Sequence, residues 1–123
     1  VVYIAPGGKH MRVVKKGTDY CIKLSDEPAI DGLRPCANVM YESLENCQYD
    51  EITCVVLTGM GADGTKGIQG LAAHHKKLHV IAQDADTCVV YGMPKAIAQT
   101  GLVDEVVPLG SVAETITKNV GVS

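Results

Sequence analysis

The two side chains best suited to acid–base chemistry in this sequence lie in or directly after glycine-containing turns. His10 comes directly after a Pro-Gly-Gly-Lys turn. Asp63 lies within residues 59–64 (GMGADG), which we call the glycine loop. Each turn follows an apolar run that predicts a buried strand, at residues 1–5 and 52–58. Sites in parallel sheets form beyond the carboxyl ends of the strands, so we expect both loops at one edge, with His10 and Asp63 in contact. A carboxylate beside an imidazole fixes its tautomer and stabilises the imidazolium, as in a hydrolytic triad.

Each of these two residues also has a purely structural interpretation. A single histidine after a turn is often a solvated loop residue, and an aspartate before a helix often caps that helix. The segment after Asp63 has helical character to about His75, which makes Asp63 a candidate N-cap. Both interpretations stay open for each residue taken alone, and the pair favours a functional site more than either member does.

The glycine loop also matches the dinucleotide-binding pattern G-x-G-x-x-G, between a predicted strand and a predicted helix. Asp84 lies 20 residues beyond Gly64, where such folds often place an acid for the ribose. The Asp63 carboxylate argues against this function, because it would lie where the negatively charged pyrophosphate binds. Exposed backbone N–H groups at a helix start suit an oxyanion hole instead.

The pair has no evident nucleophile in this sequence. The sequence contains four serines: Ser25, Ser43, Ser111 and Ser123. None of them lies in a tight glycine turn of the G-x-S-x-G kind. Cys54 lies within a predicted buried strand and Cys88 borders an apolar run, where a thiol stays protonated and unreactive.

Strand and helix signals alternate along the chain, which predicts the α/β class. We expect a mostly parallel sheet with helices on both faces (doubly wound, three-layer) and a small antiparallel hairpin. The hairpin is predicted at residues 11–16 and 20–24, and the further strands at residues 78–83 and 103–107. The helices are predicted at residues 35–47, about 63–75, 93–100 and 111–119.

The composition narrows the range of functions. The chain has 123 residues, the length of one domain, and its net charge of −3 without a basic block argues against nucleic-acid binding. No apolar run reaches the ~18 residues of a membrane span. Five cysteines without a C-x-x-C pair favour a reducing cytoplasm, and no metal site is expected. Because the sequence starts inside a predicted central strand, we expect residues 1–123 to be an incomplete domain.

Four segments stand out in order along the chain: residues 5–10 (APGGKH), 34–40 (RPCANVM), 57–64 (LTGMGADG) and 88–97 (CVVYGMPKAI). Together they resemble the catalytic domain of the chemotaxis protein-glutamate methylesterase (CheB) family, over nearly the whole chain. Each segment alone is weak evidence, whereas all four in order are specific. Cys36 and Asn38 stand where the family often has Ser and Asp, a difference that bears on the capping of the helix that starts there.

The resemblance implies a role for particular residues. His10 would be the general base, Asp63 would orient it, and the backbone N–H of Met60 would hold the oxyanion. The serine nucleophile of the family lies upstream of the histidine, in a segment outside this sequence. Gly92 and Met93 would shape the rim of the cleft, although a helix-start turn with a buried methionine explains them equally well.

The resemblance also implies the reaction: hydrolysis of γ-glutamyl methyl esters on methyl-accepting chemotaxis receptors, with deamidation of glutamines as a second activity. No cofactor or metal would be needed, and a receiver domain would precede the catalytic domain. We expect the isolated chain to be inactive or nearly so, and either to associate with itself, to be completed by a partner or to be only modestly stable. Two alternatives stay open: a nicotinamide dinucleotide-binding oxidoreductase that uses the glycine loop, and a non-catalytic regulatory domain of the same fold.

Overall fold

In the computed structural model, which describes residues 1–49, 51–74 and 76–121, an antiparallel hairpin precedes a parallel sheet. The strands are β1 (His10–Lys16), β2 (Asp19–Ser25), β3 (Ile52–Val56), β4 (Leu78–Gln83) and β5 (Glu105–Val107). The helices are α1 (Ala37–Ser43), α2 (Thr65–Ala73), α3 (Met93–Ala98) and α4 (Val112–Val120), with a 3-10 turn at Leu109–Ser111. The predicted α/β class, with its parallel sheet and separate hairpin, is confirmed.

The parallel sheet has the strand order β3-β4-β5, so β4 is central. Successive residues of β4 are buried, which happens when both faces of a strand are covered. Val80 and Ala82 belong to the main core, whereas Ile81 points to the opposite face, on which α4 packs. The main core joins α1, α2, α3 and the sheet through Leu44, Cys47, Cys54, Val56, Ile68, Leu71, Val80, Ala82 and Ile97.

The hairpin is attached to the rest of the fold through α1. In its register His10 lies opposite Ser25, and Val13 lies opposite Ile22. Val13 packs against the main core, and its backbone N–H donates to Oγ of Ser43 at 2.9 Å. The hairpin prediction is confirmed, and the hairpin places its first residue, His10, beside the start of α1.

The prediction of a buried strand at residues 1–5 is wrong. Val1, Val2, Tyr3 and Ile4 are exposed, and these residues form no strand with any part of the chain that the structure describes. A strand needs a neighbour for its backbone hydrogen bonds, and an apolar sequence alone does not supply one. The loop before His10 therefore does not leave a strand of the parallel sheet, but leads into the hairpin.

The first three helices are shorter than predicted. The first spans Ala37–Ser43 within the predicted residues 35–47, and the second begins at Thr65, after the predicted start at Asp63. The predicted end of the second helix at His75 lies outside the described residues. Among the helices of residues 1–49, 51–74 and 76–121, none is long and apolar enough to cross a membrane.

Candidate active site

His10 is buried, with 1% of its surface exposed, and backbone groups hold its ring. Gly8, at a φ of 84°, turns the chain into β1, and its N–H donates to the carbonyl oxygen of Arg34 at 3.0 Å. Nδ1 of His10 accepts a hydrogen bond from the N–H of Cys36 at 3.3 Å. Nε2 lies 2.9 Å from the carbonyl oxygen of Pro28, which only accepts, so Nε2 carries the proton. The neutral ring is therefore held in a single tautomer.

Asp63 lies in the glycine loop between two residues with positive φ, Gly61 at 85° and Gly64 at 96°. Its carboxylate accepts backbone hydrogen bonds from the start of α1, from Ala37 at 2.7 Å and Asn38 at 3.1 Å. These N–H groups have no partner within the helix, so the carboxylate caps α1. The prediction that Asp63 caps the helix that follows it is wrong, since Gly64 holds the N-cap position of α2.

Asn38 caps the start of α2 in the same way. Its Oδ1 accepts hydrogen bonds from the N–H groups of Gly64 and Gly67, both at 2.9 Å. The two helices therefore begin beside each other, and each is capped by a side chain from the start of the other. They also pack closely, because a Cβ added at Gly67 would come within 2.6 Å of Cβ of Tyr41. This reciprocal capping fixes the direction in which the Asp63 carboxylate faces.

Cys36 joins His10 to Asp63. Its N–H donates to the His10 ring, and its thiol donates to Oδ1 of Asp63 at 3.2 Å. Burial, together with the hydrogen bond to Asp63, raises the pKa of the Cys36 thiol, which therefore stays protonated and donates. Across residues 1–49, 51–74 and 76–121, no hydrogen bond connects His10 to Asp63, so the predicted direct contact is wrong. The carboxylate is instead engaged by the start of α1, and the two side chains meet at a shared neighbour.

Met60 presents a backbone N–H that no group in the described part of the chain accepts. The residue before it, Gly59, is held firmly: its N–H donates to the carbonyl oxygen of Val90 at 3.1 Å, and its own carbonyl accepts from Gly92 and Met93. Met60 is 86% exposed, so solvent reaches this part of the loop. A fixed and available N–H of this kind can stabilise a developing negative charge on oxygen.

Gly92 and Met93 support the glycine loop from behind. A Cβ at Gly92 would come within 2.6 Å of the carbonyl oxygen of Gly59 and 3.0 Å of the N atom of Gly61, so only glycine allows this approach. Sδ of Met93 lies against Gly59, where an added Cβ would be 2.6 Å away. Both residues contact Gly59, and Met93 also packs against the main core. Their predicted place on the rim of the cleft stays a prediction.

A cleft of about 580 Å³ lies between the start of α1 and the glycine loop. Cys36, Met60 and Asp63 line it together with Lys66 and Gln69 of α2. A second groove of about 270 Å³ lies beside Cys36 and Asp63, on the side of Met11 and Met40. Of the predicted site residues, Met60 and Asp63 thus line a space large enough for a side chain of a substrate. His10, Gly92 and Met93 are not among the residues that line it.

The dinucleotide alternative has the wrong groups at the start of α2. The N–H groups of Gly64 and Gly67 already donate to Asn38, and the Asp63 carboxylate lies beside them, so a pyrophosphate would meet a negative charge and few free donors. Asp84 is also engaged, since its Oδ1 accepts from the N–H of Thr87 at 3.0 Å and from its hydroxyl at 2.6 Å. These contacts speak against a nicotinamide cofactor at the glycine loop.

Three residues that could supply a nucleophile, Ser25, Ser43 and Cys54, are poorly suited to do so for His10. Ser25 lies across the hairpin from His10, but its hydroxyl accepts a hydrogen bond from Arg12 at 3.2 Å, and both nitrogens of the His10 ring have other partners. The Ser43 hydroxyl donates to the carbonyl oxygen of Met40 at 2.6 Å. Burial raises the pKa of the Cys54 thiol to about 11, so it stays protonated. Ser123 lies outside the described residues.

Sequence patterns do not reveal three contributors to this site: Pro28, Cys36 and Asn38. Cys36 and Asn38 belong to the segment 34–40, so membership of a family-like segment is the signal that points to them. Pro28 contributes only a carbonyl oxygen, which every residue has, so no side-chain pattern can single it out.

Comparison with known proteins agrees with the resemblance. The family model described as CheB methylesterase matches residues 1–116. The protein-glutamate methylesterase/protein-glutamine glutaminase of Desulfotalea psychrophila is 43% identical over 122 residues, which are 98% of this chain and 33% of that protein. Its counterpart in Oceanobacillus iheyensis is 44% identical over 117 residues, with 94% of this chain and 33% of that protein covered.

Among solved structures, the crystal structure of the Thermotoga maritima CheB methylesterase catalytic domain is similar, with a TM-score of 0.85 and 33% sequence identity. The match covers 94% of this chain and 60% of that chain. The chain thus spans about a third of the length of the curated relatives it matches and about three fifths of the catalytic domain.

Proposed function

Since this chain belongs to the CheB methylesterase family, we propose that the protein containing it hydrolyses γ-glutamyl methyl esters on methyl-accepting chemotaxis receptors and releases methanol. The names of its relatives support this carboxylic ester hydrolase activity and add a second one, the hydrolysis of glutamine amides. Both reactions pass through a tetrahedral intermediate at the same carbonyl carbon, so one site serves both. The reaction takes place in the cytoplasm, on the signalling helices of the receptors.

One observation carries the proposal: Cys36 bonds to both His10 and Asp63 and lines the same cleft as Met60. In the proposed mechanism, His10 is the general base and the N–H of Met60 stabilises the oxyanion. Asp63 holds the start of α1, and through Cys36 it positions the His10 ring. Gly92 and Met93 fix the position of the glycine loop through their contacts with Gly59.

The proposed nucleophile is a serine in the part of the protein upstream of this chain. It attacks the carbonyl carbon of the ester, and His10 takes the proton of its hydroxyl and returns it to the departing methoxide. Water then hydrolyses the acyl-enzyme with the same base. Because Nε2 of His10 donates to Pro28 here, accepting a proton at Nε2 requires the ring to take up the other tautomer and to release the N–H of Cys36.

The partners in this proposal are the chemoreceptors and a receiver domain upstream of the catalytic domain, whose phosphorylation relieves inhibition. The isolated chain is proposed to associate with itself. The exposed apolar residues Val1, Val2, Ile4 and Val89 support this association, because apolar surface of this kind is usually covered.

The test measures methanol release from a methylated receptor by two preparations, the complete protein and the isolated residues 1–123. We expect release by the complete protein, whereas the isolated chain retains at most roughly 10³- to 10⁴-fold over the uncatalysed rate, since it lacks the nucleophile. Addition of the upstream segment to the isolated chain should restore activity.

Two results would contradict the proposal. Methanol release at the full rate by residues 1–123 alone would place the nucleophile within this chain. A complete protein that binds receptor but releases no methanol would favour a non-catalytic regulatory domain, for which the engaged hydroxyls of Ser25 and Ser43 are the supporting observation.

A further inference from the structure

Gln83 is a buried amide at the carboxyl end of the central strand. It is the last residue of β4, only 1% of its surface is exposed, and its side chain makes hydrogen bonds through both of its polar atoms. An amide removed from water destabilises the fold unless its hydrogen bonds are made, so its partners indicate what the residue does.

The partners of Gln83 belong to the two loops that meet above the sheet. Its Oε1 accepts the backbone N–H of Thr58 at 2.8 Å. Its Nε2 donates to the carbonyl oxygen of Thr87 at 2.9 Å and lies 3.2 Å from the hydroxyl oxygen of the same residue. That hydroxyl in turn accepts the N–H of Leu109 at 3.0 Å. Gln83 therefore ties the start of the glycine loop to the loop after β4.

The segment that Gln83 holds in place, Thr58 and Gly59, directly precedes Met60. The Thr58 hydroxyl exchanges hydrogen bonds with the backbone of Val90, at 3.1 Å to its carbonyl oxygen and 2.9 Å from its N–H. Gly59 is bonded to Val90 as well, through its N–H at 3.1 Å. The backbone is thus fixed over the two residues before Met60, and Gln83 is the buried side chain that fixes it from the sheet.

We propose that Gln83 is a positioning residue of the esterase site, which sets the location of the Met60 N–H that receives the oxyanion. This role rests on the proposed function. An amide suits the position because it supplies one acceptor to Thr58 and donors to Thr87 without a charge. A leucine of similar size leaves the N–H of Thr58 and the carbonyl of Thr87 unpaired, so the loop can shift. A displacement of about 1 Å in such a group can cost roughly 10²-fold in rate.

The test is Gln83→Leu in the complete protein, with Thr115→Val as the matched control. Thr115 is also buried and also bonds a backbone carbonyl, that of Ser111 at 2.8 Å, but it lies on α4, away from the glycine loop. For Gln83→Leu we expect kcat for methanol release to fall about 10- to 100-fold with KM changed less than about threefold. The pH profile of kcat/KM should keep its shape, because the base is unchanged. Hydrogen exchange of residues 57–64 should speed up in Gln83→Leu alone.

A second variant keeps the test decisive if Gln83→Leu does not fold. Gln83→Glu retains the acceptor for Thr58, and its protonated form also restores one donor, so its kcat relative to the parent should rise as the pH falls. A kcat for folded Gln83→Leu within twofold of Thr115→Val, a kcat ratio of Gln83→Glu to the parent that does not change with pH, or unchanged exchange of residues 57–64 in Gln83→Leu would overturn the role of Gln83. Absence of methanol release by the parent protein would overturn the proposed function and this role with it, and the exchange measurement would still report whether Gln83 holds the loop.

Discussion

His10 and His79 lie at opposite ends of this fold and have opposite surroundings. His79 is the second residue of β4, at the amino end of the sheet, and its Nε2 donates to Oε2 of Glu105 at 2.7 Å. Nδ2 of Asn119, on α4, donates to the same oxygen at 2.9 Å, and Oδ2 of Asp104 lies 3.9 Å from the His79 ring. His10 lies beside the glycine loop, at the carboxyl end, and its ring bonds only to backbone groups among the described residues.

The comparison shows that contact with a carboxylate does not by itself identify an acid–base site. The pair His79 and Glu105 has the geometry expected of such a site, but it joins two neighbouring strands and α4 at the end of the sheet where sites rarely form. His10 lacks the carboxylate and instead shares Cys36 with Asp63, beside the cleft that Met60 also lines. Position in the fold is the better guide, and each difference between the two ends can be tested.

The largest effect is expected from removing the two imidazoles separately. In the complete protein, His10→Ala should lower kcat for methanol release by about 10²- to 10⁴-fold, the usual contribution of a general base. His79→Ala should leave kcat within a few-fold, because His79 lies at the other end of the sheet. Steady-state methanol release at saturating receptor measures both. Equal losses in the two variants would show that position in the sheet does not separate their roles.

The second largest effect is expected at the helix start that Asp63 caps. Asp63→Ala removes the acceptor of two backbone N–H groups and of the Cys36 thiol, so we expect the free energy of unfolding to fall by about 2 kcal/mol. Urea unfolding of the isolated chain measures this change. Glu114→Ala, in the first turn of α4, is the control and should cost less than about 1 kcal/mol. A stability of Asp63→Ala equal to that of the parent would contradict the capping role.

A smaller effect is expected from the support behind the glycine loop. Gly92→Ala places a Cβ within 2.6 Å of the Gly59 carbonyl oxygen, so the loop must shift, at a cost of about 1–2 kcal/mol of unfolding free energy. Gly110→Ala is the matched control, since a Cβ there meets nothing within 4 Å. Urea midpoints of the two variants give the comparison. If both variants lose the same stability, the close approach at Gly92 does not matter.

The smallest effect is expected at the amino end of the sheet and depends on pH. The hydrogen bond from His79, followed by that from Asn119, holds the pKa of Glu105 below its usual range. A carboxyl with a lower pKa in the folded state stabilises the fold above its unfolded pKa, and this contribution is lost as the pH falls through the folded value.

Glu105→Gln should therefore be less stable than the parent near neutral pH, and the two stabilities should converge in acid. Urea midpoints between about pH 3 and pH 7 measure the convergence. Glu51→Gln serves as the control, because Glu51 is exposed and its Lys77 partner is 4.0 Å away. A stability difference between Glu105→Gln and the parent that does not change with pH would contradict the account.

Local patterns predict the elements of this fold better than they predict its contacts. The buried run that becomes β3 and the alternation that becomes the hairpin are properties of a few neighbouring residues, and both elements form, although β3 ends at Val56, two residues before the predicted end. Residues 1–5 carry the same kind of apolar signal, but hydrophobicity reports only the capacity for burial. Whether a neighbouring strand pairs with the run is a tertiary fact, so this prediction is wrong.

In the candidate site, too, local patterns predict the elements but not the contacts between them. The family-like segments name His10, Met60 and Asp63, and the spacing of glycines correctly indicates a turn at a helix start. The same spacing predicts that Asp63 caps its own helix, whereas the carboxylate reaches across to α1, 26 positions away at Ala37. The part that Cys36 plays between the two side chains depends on which helices begin beside each other. The part that Gln83 plays under the loop depends on which loops meet above the sheet. No local pattern encodes that arrangement.

The central claim, that backbone groups rather than Asp63 hold the His10 ring, is tested most directly by ¹⁵N NMR of the imidazole nitrogens at a pH where the ring is neutral. The account predicts a protonated Nε2 and an unprotonated Nδ1 for His10, unchanged in Asp63→Asn. A protonated Nδ1 that is lost or shifted in Asp63→Asn would show that the carboxylate binds the ring directly, and would contradict the account.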